Sequence, residues 1–505
     1  MTSSLVSLVR NVAFSGASFA VVGAIGLLLV PVILNAYGLP AYGVIVLARL
    51  FLPTGLLGMF DCGILELATK LTAQWRSGGS VVRHSRLAPI VVLGVGLGIV
   101  MAIAIALLAR YMSVFAGDSA AYRDADMQAV WWATAAALLI LFPGIAIEGV
   151  VRGFEKFMVV RGAELASAVV YAGLTLLLIQ LEKPFTWLIY AFLSASILRV
   201  CVLAVWVMRA GVFRWQEFAV VRLAAVVESA SMGWVFAQGK MLGTVQGQLP
   251  VLLIGLLTGP SGIATYDVIM RLPRFLKSVL ALTVSVVFPV SARLDAGTDT
   301  SAISRLLVSG MAMVMFALYP VIAASMVFAK SIMELWLGAT LVEYWPWVTL
   351  MFGALLPNIL LSYGLSVGSV RVAVQKQFNR LFLFQIVVQF ALAIVFANVF
   401  GERAFVLGQA AAMICFFPIQ ISQLLSRLGI KRQLLLAPVL RQCWVGTLLW
   451  VPVFVFSSLF PARTLLQLTL YAGGAMGLHA LLVYVIALSQ EERLQLKRIL
   501  RILKF

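Results

Sequence analysis

Residues 87–109 read LAPIVVLGVGLGIVMAIAIALLA, an uninterrupted apolar run with Arg86 before it and Arg110 after it. The run holds no charged side chain, and its length matches the roughly 20 residues that an α-helix needs to cross the hydrocarbon layer. A buried strand would be far shorter, and an amphipathic surface helix would show polar residues every third or fourth position. The run is therefore a transmembrane helix, and the chain around it repeats the pattern. Of the 505 residues, 63% are hydrophobic and only 11% charged, with a mean hydropathy of +1.06. So few charges cannot cover a soluble core of that size, which places the chain in the polytopic membrane class.

Working outward in both directions, apolar runs predict spans near 12–34, 44–67, 87–109, 129–150, 162–181, 185–208, 230–257, 262–290, 306–329, 346–367, 381–400, 404–426, 438–459 and 465–488. The first, Val12 to Leu34, is too long for the apolar part of a signal peptide and is read as a retained span. Loop charge tests the segmentation, because short basic loops stay on the cytoplasmic side. With the N-terminus inside, the inner segments carry 25 Lys and Arg residues and the outer loops only 6 (Arg110, Arg123, Lys183, Lys330, Arg403 and Arg463). An odd error in the span count would scramble that alternation. The expectation is about 14 transmembrane helices with both termini cytoplasmic.

The net charge of +18 follows from this loop bias. No basic segment interleaved with aromatics lies outside the apolar runs, so nucleic acid is not an expected partner. Cys62, Cys201, Cys415 and Cys443 form no C-x-x-C pair and read as buried free thiols; His84 and His479 stand far apart, so no metal centre is expected. The inner loops are short throughout, leaving no room for a soluble catalytic domain. The tail from Arg493 to Phe505 alternates basic and apolar residues at helical spacing, which suits the anionic inner leaflet.

The chain also contains a repeat. Gly38-Leu-Pro-Ala-Tyr42-Gly43-Val44-Ile45 and Gly262-Ile-Ala-Thr-Tyr266-Asp267-Val268-Ile269 both read G-x-x-x-Y-x-V-I, six helices apart and at the same point of a helix pair. Carriers are commonly built from repeated halves with the substrate between them. The expected organisation is an N-lobe over 1–215, a C-lobe over 216–436, and residues 437–505 as two added helices with the basic tail.

Ionisable groups at bilayer depth are costly and usually serve a cavity or a partner. Asp267, Arg271 and Arg274 stand at i, i+4 and i+7 on one helix face, and Lys277 follows. Paired guanidinium donors grip phosphate oxygens, so this face reads as an anion-recognising wall. Arg49 follows the first tyrosine of the repeat as Arg271 and Arg274 follow the second. Lys240 lies in Gly233-Trp-Val-Phe-Ala-Gln-Gly239-Lys240-Met241, whose glycines are one residue too far apart for a P-loop, in an apolar helix. Nucleotide binding is excluded there; Gly239, Gly243 and Gly247 read instead as a face for close helix packing. The candidate substrate-binding residues are Arg271, Arg274, Lys277, Arg49, Lys240 and Asp267. Asp61, Glu66, Glu148 and Glu164 are candidates for coupling to H+ or Na+, with no other cofactor expected. Asp124-Ala-Asp126 matches a D-x-D pattern by chance, since it falls in an outer loop.

These features resemble the Wzx-type polysaccharide flippases of the multidrug/oligosaccharidyl-lipid/polysaccharide (MOP) exporter superfamily. The resemblance rests on Arg10-Asn11, on Pro31 through Tyr37-Gly38-Leu39-Pro40-Ala41-Tyr42-Gly43, and on Asp61-Cys62-Gly63-Ile64. Arg152-Gly153-Phe154-Glu155-Lys156-Phe157 and Phe288-Pro289-Val290-Ser291 extend it to about residue 290. It implies two lobes around a cationic cavity, and translocation of an undecaprenyl-diphosphate-linked oligosaccharide across the bacterial inner membrane by alternating access, for cell-surface polysaccharide. It further implies membrane lipids, a polysaccharide polymerase and assembly proteins as partners, and no enzymatic activity. The rival readings are a cation-coupled multidrug antiporter of the same superfamily and a membrane polysaccharide polymerase.

Overall fold

In the computed structural model the chain is all-α, with no strand among the described residues, which are 2–76, 87–109, 111, 125–212, 218, 221–285, 300–368, 371–490, 492–494 and 496. The helices are α1 (Thr2–Leu50), α2 (Ile64–Arg76), α3 (Leu87–Leu108), α4 (Ala125–Gly153), α5 (Phe157–Gln180), α6 (Thr186–Arg209), α7 (Leu223–Ser285), α8 (Thr300–Val327), α9 (Ala329–Leu337), α10 (Trp345–Gly368), α11 (Val372–Phe400), α12 (Arg403–Leu428), α13 (Arg432–Leu459) and α14 (Leu465–Leu482). Among the described residues twelve helical stretches are long and apolar enough to cross a membrane. Two of them, Gly16–Leu50 and Ala237–Val279, are 35 and 43 residues long. At about 1.5 Å per residue neither fits straight across about 30 Å of hydrocarbon. Each is bent at a glycine in the positive-φ region, Gly38 (φ 79°) and Gly259 (φ 69°), which breaks the helix into two limbs. Against the expectation of about 14 spans, the described residues thus give twelve stretches, two of them bent; the limb from Gly38 to Leu50 is too short to cross by itself.

The chain divides into two compact units, Met1–Asp267 and Val268–Phe505. In the first, α4 packs on α2, α3 and α6, and α5 on α1 and α6. Small residues set the spacing: a Cβ on Gly94 or Gly98 of α3 would meet the backbone of α4 at 3.0 and 2.9 Å. In the second unit, α8 packs on α10, α13 and α14, and α12 on α10 and α11. A cluster around Leu307, Met311, Tyr363 and Leu424 fills its core. His479 is buried in α14, where its Nδ1 accepts the Trp450 indole N–H at 3.2 Å.

Three expectations need correction. The span expected over 44–67 is not one helix: α1 ends at Leu50 and α2 begins at Ile64, with only a short 3-10 turn, Leu56–Phe60, between them. Gly239, Gly243 and Gly247 are not a packing face, because a Cβ on any of them would meet nothing within 4 Å. The four cysteines are free, but Cys201 and Cys415 are exposed rather than buried. Most of the basic tail, His84 and the Phe288-Pro289-Val290-Ser291 motif lie outside the described residues, as does the side chain of Asp126.

Close packing is tight elsewhere. Gly43 lies against the Pro260 carbonyl, and Gly233 of α7 against the Cys62 carbonyl, so that a Cβ would sit 1.8 and 2.1 Å from those oxygens. Gly43→Ala should therefore lower stability by about 1–3 kcal/mol, the usual range for overpacking. Gly243→Ala should be neutral or stabilising. Thermal unfolding of the purified protein in detergent compares the two, and equal midpoints would contradict the assigned packing.

Candidate functional site

The break between α1 and α2 is written into residues 51–63. Pro53 cannot donate a backbone hydrogen bond, and Gly55 folds over the Leu50 carbonyl, where a Cβ would sit 2.4 Å from the oxygen. Successive turns (Phe51 N–H to the Ala48 carbonyl, Gly55 to Leu52, Gly58 to Gly55) carry the chain to Asp61. Asp61 accepts the Gly63 N–H at 3.0 Å through Oδ1. Cys62 and Gly63 both take positive φ, 50° and 67°. The Asp-x-Gly motif is thus the turn that restarts the helix. Non-helical backbone at membrane depth persists only where protein or water surrounds it, and Phe51, Leu52 and Leu57 are all buried here.

Asp61 is 0% exposed, and its other oxygen, Oδ2, pairs with Lys240 of α7. The Lys240 side chain keeps 34% exposure. One turn above the break, Arg49 takes a different environment. Its guanidinium lies 4.4 Å from the Phe192 ring centroid and 5.1 Å from that of Tyr171, and one Nη donates to the Tyr171 hydroxyl at 2.6 Å. Those two rings meet edge to face at 5.3 Å. Arg49 Nε is buried without a hydrogen-bond partner, and among the described residues no carboxylate pairs with Arg49. Aromatic faces stabilise a cation by about 0.5–2 kcal/mol, but they do not neutralise it.

The two octets meet. The Tyr42 hydroxyl donates to Asp267 Oδ2 at 2.7 Å, and Tyr42, Tyr266 and Asp267 are all buried. Asp267 is thus committed to the contact between the repeats. It closes the first unit, while Arg271, Arg274 and Lys277 follow on α7 in the second. All three are half-buried. Arg271 and Arg274 each interact with a neighbour; Lys277 has no carboxylate partner among the described residues.

The candidate coupling carboxylates separate clearly. Glu148 and Glu164 share Arg199, which bridges them at 2.6 and 2.9 Å. Glu148 also pairs with Arg152 at 2.5 Å, and Glu164 with Arg161 at 2.6 Å. This five-residue network ties α4, α5 and α6 together. Glu66, in the first turn of α2, has a buried Oε2 with no hydrogen-bond partner, and no cation pairs with it among the described residues. Sequence reading had grouped these carboxylates together; it also missed Tyr171 and Phe192, because aromatic residues in apolar helices give no signal of the cation they hold. No cluster of three or more metal-ligating side chains exists among the described residues.

The fold and these charges define a multi-pass α-helical membrane protein with a broken helix, two glycine-hinged helices and embedded cations. The chain belongs to the family described as polysaccharide biosynthesis protein, whose model matches residues 8–295, more than half of its length. A sequence comparison with curated proteins finds no match. Among solved structures it is similar to the lipid II flippase MurJ in an inward closed conformation, at 11% identity and a TM-score of 0.65, over 95% of this chain and 99% of that one. It is also similar to an inward-facing multidrug resistance MATE family transporter of the MOP superfamily, at 15% identity and a TM-score of 0.54, over 81% of this chain and 99% of that one. The Vibrio cholerae MATE transporter VcmN in its bent form gives 13% identity and a TM-score of 0.53, over 85% and 98%. What this likeness shows is the fold that the chain shares with these three proteins.

Removing one partner of a buried pair costs about 3–5 kcal/mol, because the other charge stays buried and uncompensated. Lys240→Met should fall toward that range, since Asp61 would keep only the Gly63 N–H. Adding Asp61→Asn should restore part of the loss. A double-mutant cycle by thermal unfolding reads the coupling; additive effects would mean that the two side chains do not interact.

Proposed function

We propose that this protein is a flippase that moves an undecaprenyl-diphosphate-linked oligosaccharide across the bacterial inner membrane by alternating access, with both termini cytoplasmic. The observation that carries the proposal is Arg49. A cation at bilayer depth, gripped by Phe192 and Tyr171 and matched by no carboxylate among the described residues, has donors left for an anion. Guanidinium forks fit phosphate oxygens with paired hydrogen bonds, and a diphosphate is the charged part of such a substrate. The sugar itself carries many hydroxyls, each costly to strip of water in hydrocarbon, so it needs a protein-lined path while the lipid tail stays in the bilayer. Membership of a polysaccharide biosynthesis family supports this substrate class, and the fold likeness to a lipid II flippase supports the transport mode. Lys240, Arg271, Arg274 and Lys277 belong to the proposal as further substrate-binding cations.

For energy coupling we assign H+ to Glu66. Protonating Asp61, Glu148 or Glu164 would break an ion pair; protonating Glu66 breaks none among the described residues. A drug antiporter, the reading favoured by the fold likeness to MATE transporters, has to hold cationic drugs, which Arg49 repels. A polymerase would leave single repeat units outside the cell, whereas loss of a flippase traps them inside.

Arg49→Gln should cut polymer export at least about tenfold with protein levels unchanged. The lipid-linked repeat unit should then accumulate where a membrane-impermeant periodate label added to spheroplasts cannot reach it. The joint charge reversal Arg271→Glu with Arg274→Glu should abolish export in the same assay. Normal export by either variant removes those residues from the mechanism. Glu66→Gln should leave residual export that no longer responds when a protonophore collapses the proton gradient; an undiminished response would overturn the assignment to Glu66.

A further inference from the structure

The hairpin of α11 and α12 turns at Gly401, and its opposite end carries a cluster of cations that the transport cycle above does not use. Lys376 and Arg380 stand one turn apart near the start of α11, and Arg427 lies in the last turn of α12. Together with Gln377, Gln423, Leu381 and Phe384 they line an open depression of about 370 Å³, at the small end of the roughly 300–1,000 Å³ of ligand sites. Lys376, Arg380 and Arg427 are exposed, and no carboxylate pairs with any of them among the described residues.

The two glutamines make the site one-sided. Arginine has donors only, so the Arg427 Nε–H, 2.8 Å from Gln377, fixes that amide with Oε1 toward the guanidinium. Gln377 then presents Nε2 to Gln423 and donates to its Oε1. Each amide oxygen already accepts one hydrogen bond, and the relay ends on the Gln423 amide N–H2. The charged and N–H groups around the depression are donors: an ammonium, two guanidinium groups and an amide. Such a set repels cations, satisfies no carbonyl-rich ligand in preference to an anion, and suits phosphate oxygens.

The apolar side of the depression selects among phosphates. Phe384, eight residues beyond Lys376 and therefore on the same face of α11, is 64% exposed, and Leu383 and Val387 beside it are 50% and 57% exposed. Cations at the helix end with bare apolar side chains two turns deeper match a phospholipid, headgroup above and acyl chains below. The basic-loop bias puts this end at the cytoplasmic leaflet, where basic pockets between helices take anionic headgroups. We infer that the depression between α11 and α12 is a binding site for an anionic phospholipid, with the phosphodiester held by Lys376, Arg380, Arg427 and the Gln423 amide. The inference does not depend on what the protein transports.

Native mass spectrometry of the full chain in detergent, titrated with phosphatidylglycerol and phosphatidylethanolamine, tests it. The wild type should retain one phosphatidylglycerol in preference to phosphatidylethanolamine. The triple variant Lys376→Gln, Arg380→Gln, Arg427→Gln should bind it about a hundredfold more weakly. A charge-matched control, Arg209→Gln, Lys431→Gln, Arg432→Gln, should keep wild-type affinity. Equal loss in both variants would mean general attraction to a basic protein and would overturn the site. Phe384→Ala changes no charge, so it tests the site even if the triple variant fails to fold. It should weaken phosphatidylglycerol several-fold and leave glycerol 3-phosphate unaffected. Glycerol 3-phosphate binding as tightly as the lipid would make this a soluble-phosphate site and overturn the lipid assignment.

Discussion

Every peptide group inside the hydrocarbon layer has to find its hydrogen-bond partner within the protein. The first unit of this chain leaves regular helix at two kinds of place. Gly38 and Gly259 break two long helices at single positive-φ residues, each using the one residue type that adopts that geometry without strain. The segment from Phe51 to Gly63 is a longer departure, with turns in place of helix and an acidic side chain satisfying the restart. Asp61 is the hinge of this arrangement. One of its oxygens closes the turn and the other holds Lys240 of α7, so the broken strand of chain and the helix beside it are fixed by one buried carboxylate. Gly233, pressed against the Cys62 carbonyl, lets α7 come close enough for that pair to form.

Around this anchor the embedded charges sort by how well they are matched. Glu148 and Glu164 are saturated by three arginines and serve to hold α4, α5 and α6 together. Asp267 is committed to Tyr42. Arg49 and Glu66 are different: among the described residues the cation meets aromatic faces and a hydroxyl but no carboxylate, and the carboxylate keeps an oxygen with no hydrogen-bond partner. Incomplete matching of this kind costs stability, and in the proposed cycle it leaves Arg49 with donors for an anion.

Much of this was legible in the sequence, because its causes are local. Apolar runs such as 87–109 gave most of the spans. The shared octet marks two stretches that lie at or just after bends, Gly38 and Gly259. What could not be read depends on neighbours far away in sequence. Helix 44–67 looked continuous because Leu, Met and Phe between its glycines are as apolar as helix residues, and only the position of Lys240 reveals why the chain opens there. The glycines at 239, 243 and 247 have packing spacing, yet spacing fixes only which face they share and not whether anything covers it.

The same distinction bears on the repeat itself. Tyr42 and Tyr266 occupy matching positions of the two octets, and both are buried to within 1%. The residue after each tyrosine diverged. Gly43 gave the first copy room to lie against the Pro260 carbonyl, and Asp267 gave the second an acceptor for Tyr42. Each copy thus supplies what the other lacks: one the space and the hydroxyl, the other the carbonyl and the carboxylate. A symmetric pair of glycines would leave Tyr42 without its partner, and a symmetric pair of aspartates would put a side chain where the Pro260 carbonyl sits. The asymmetry is what lets two related bends pack against each other within one unit.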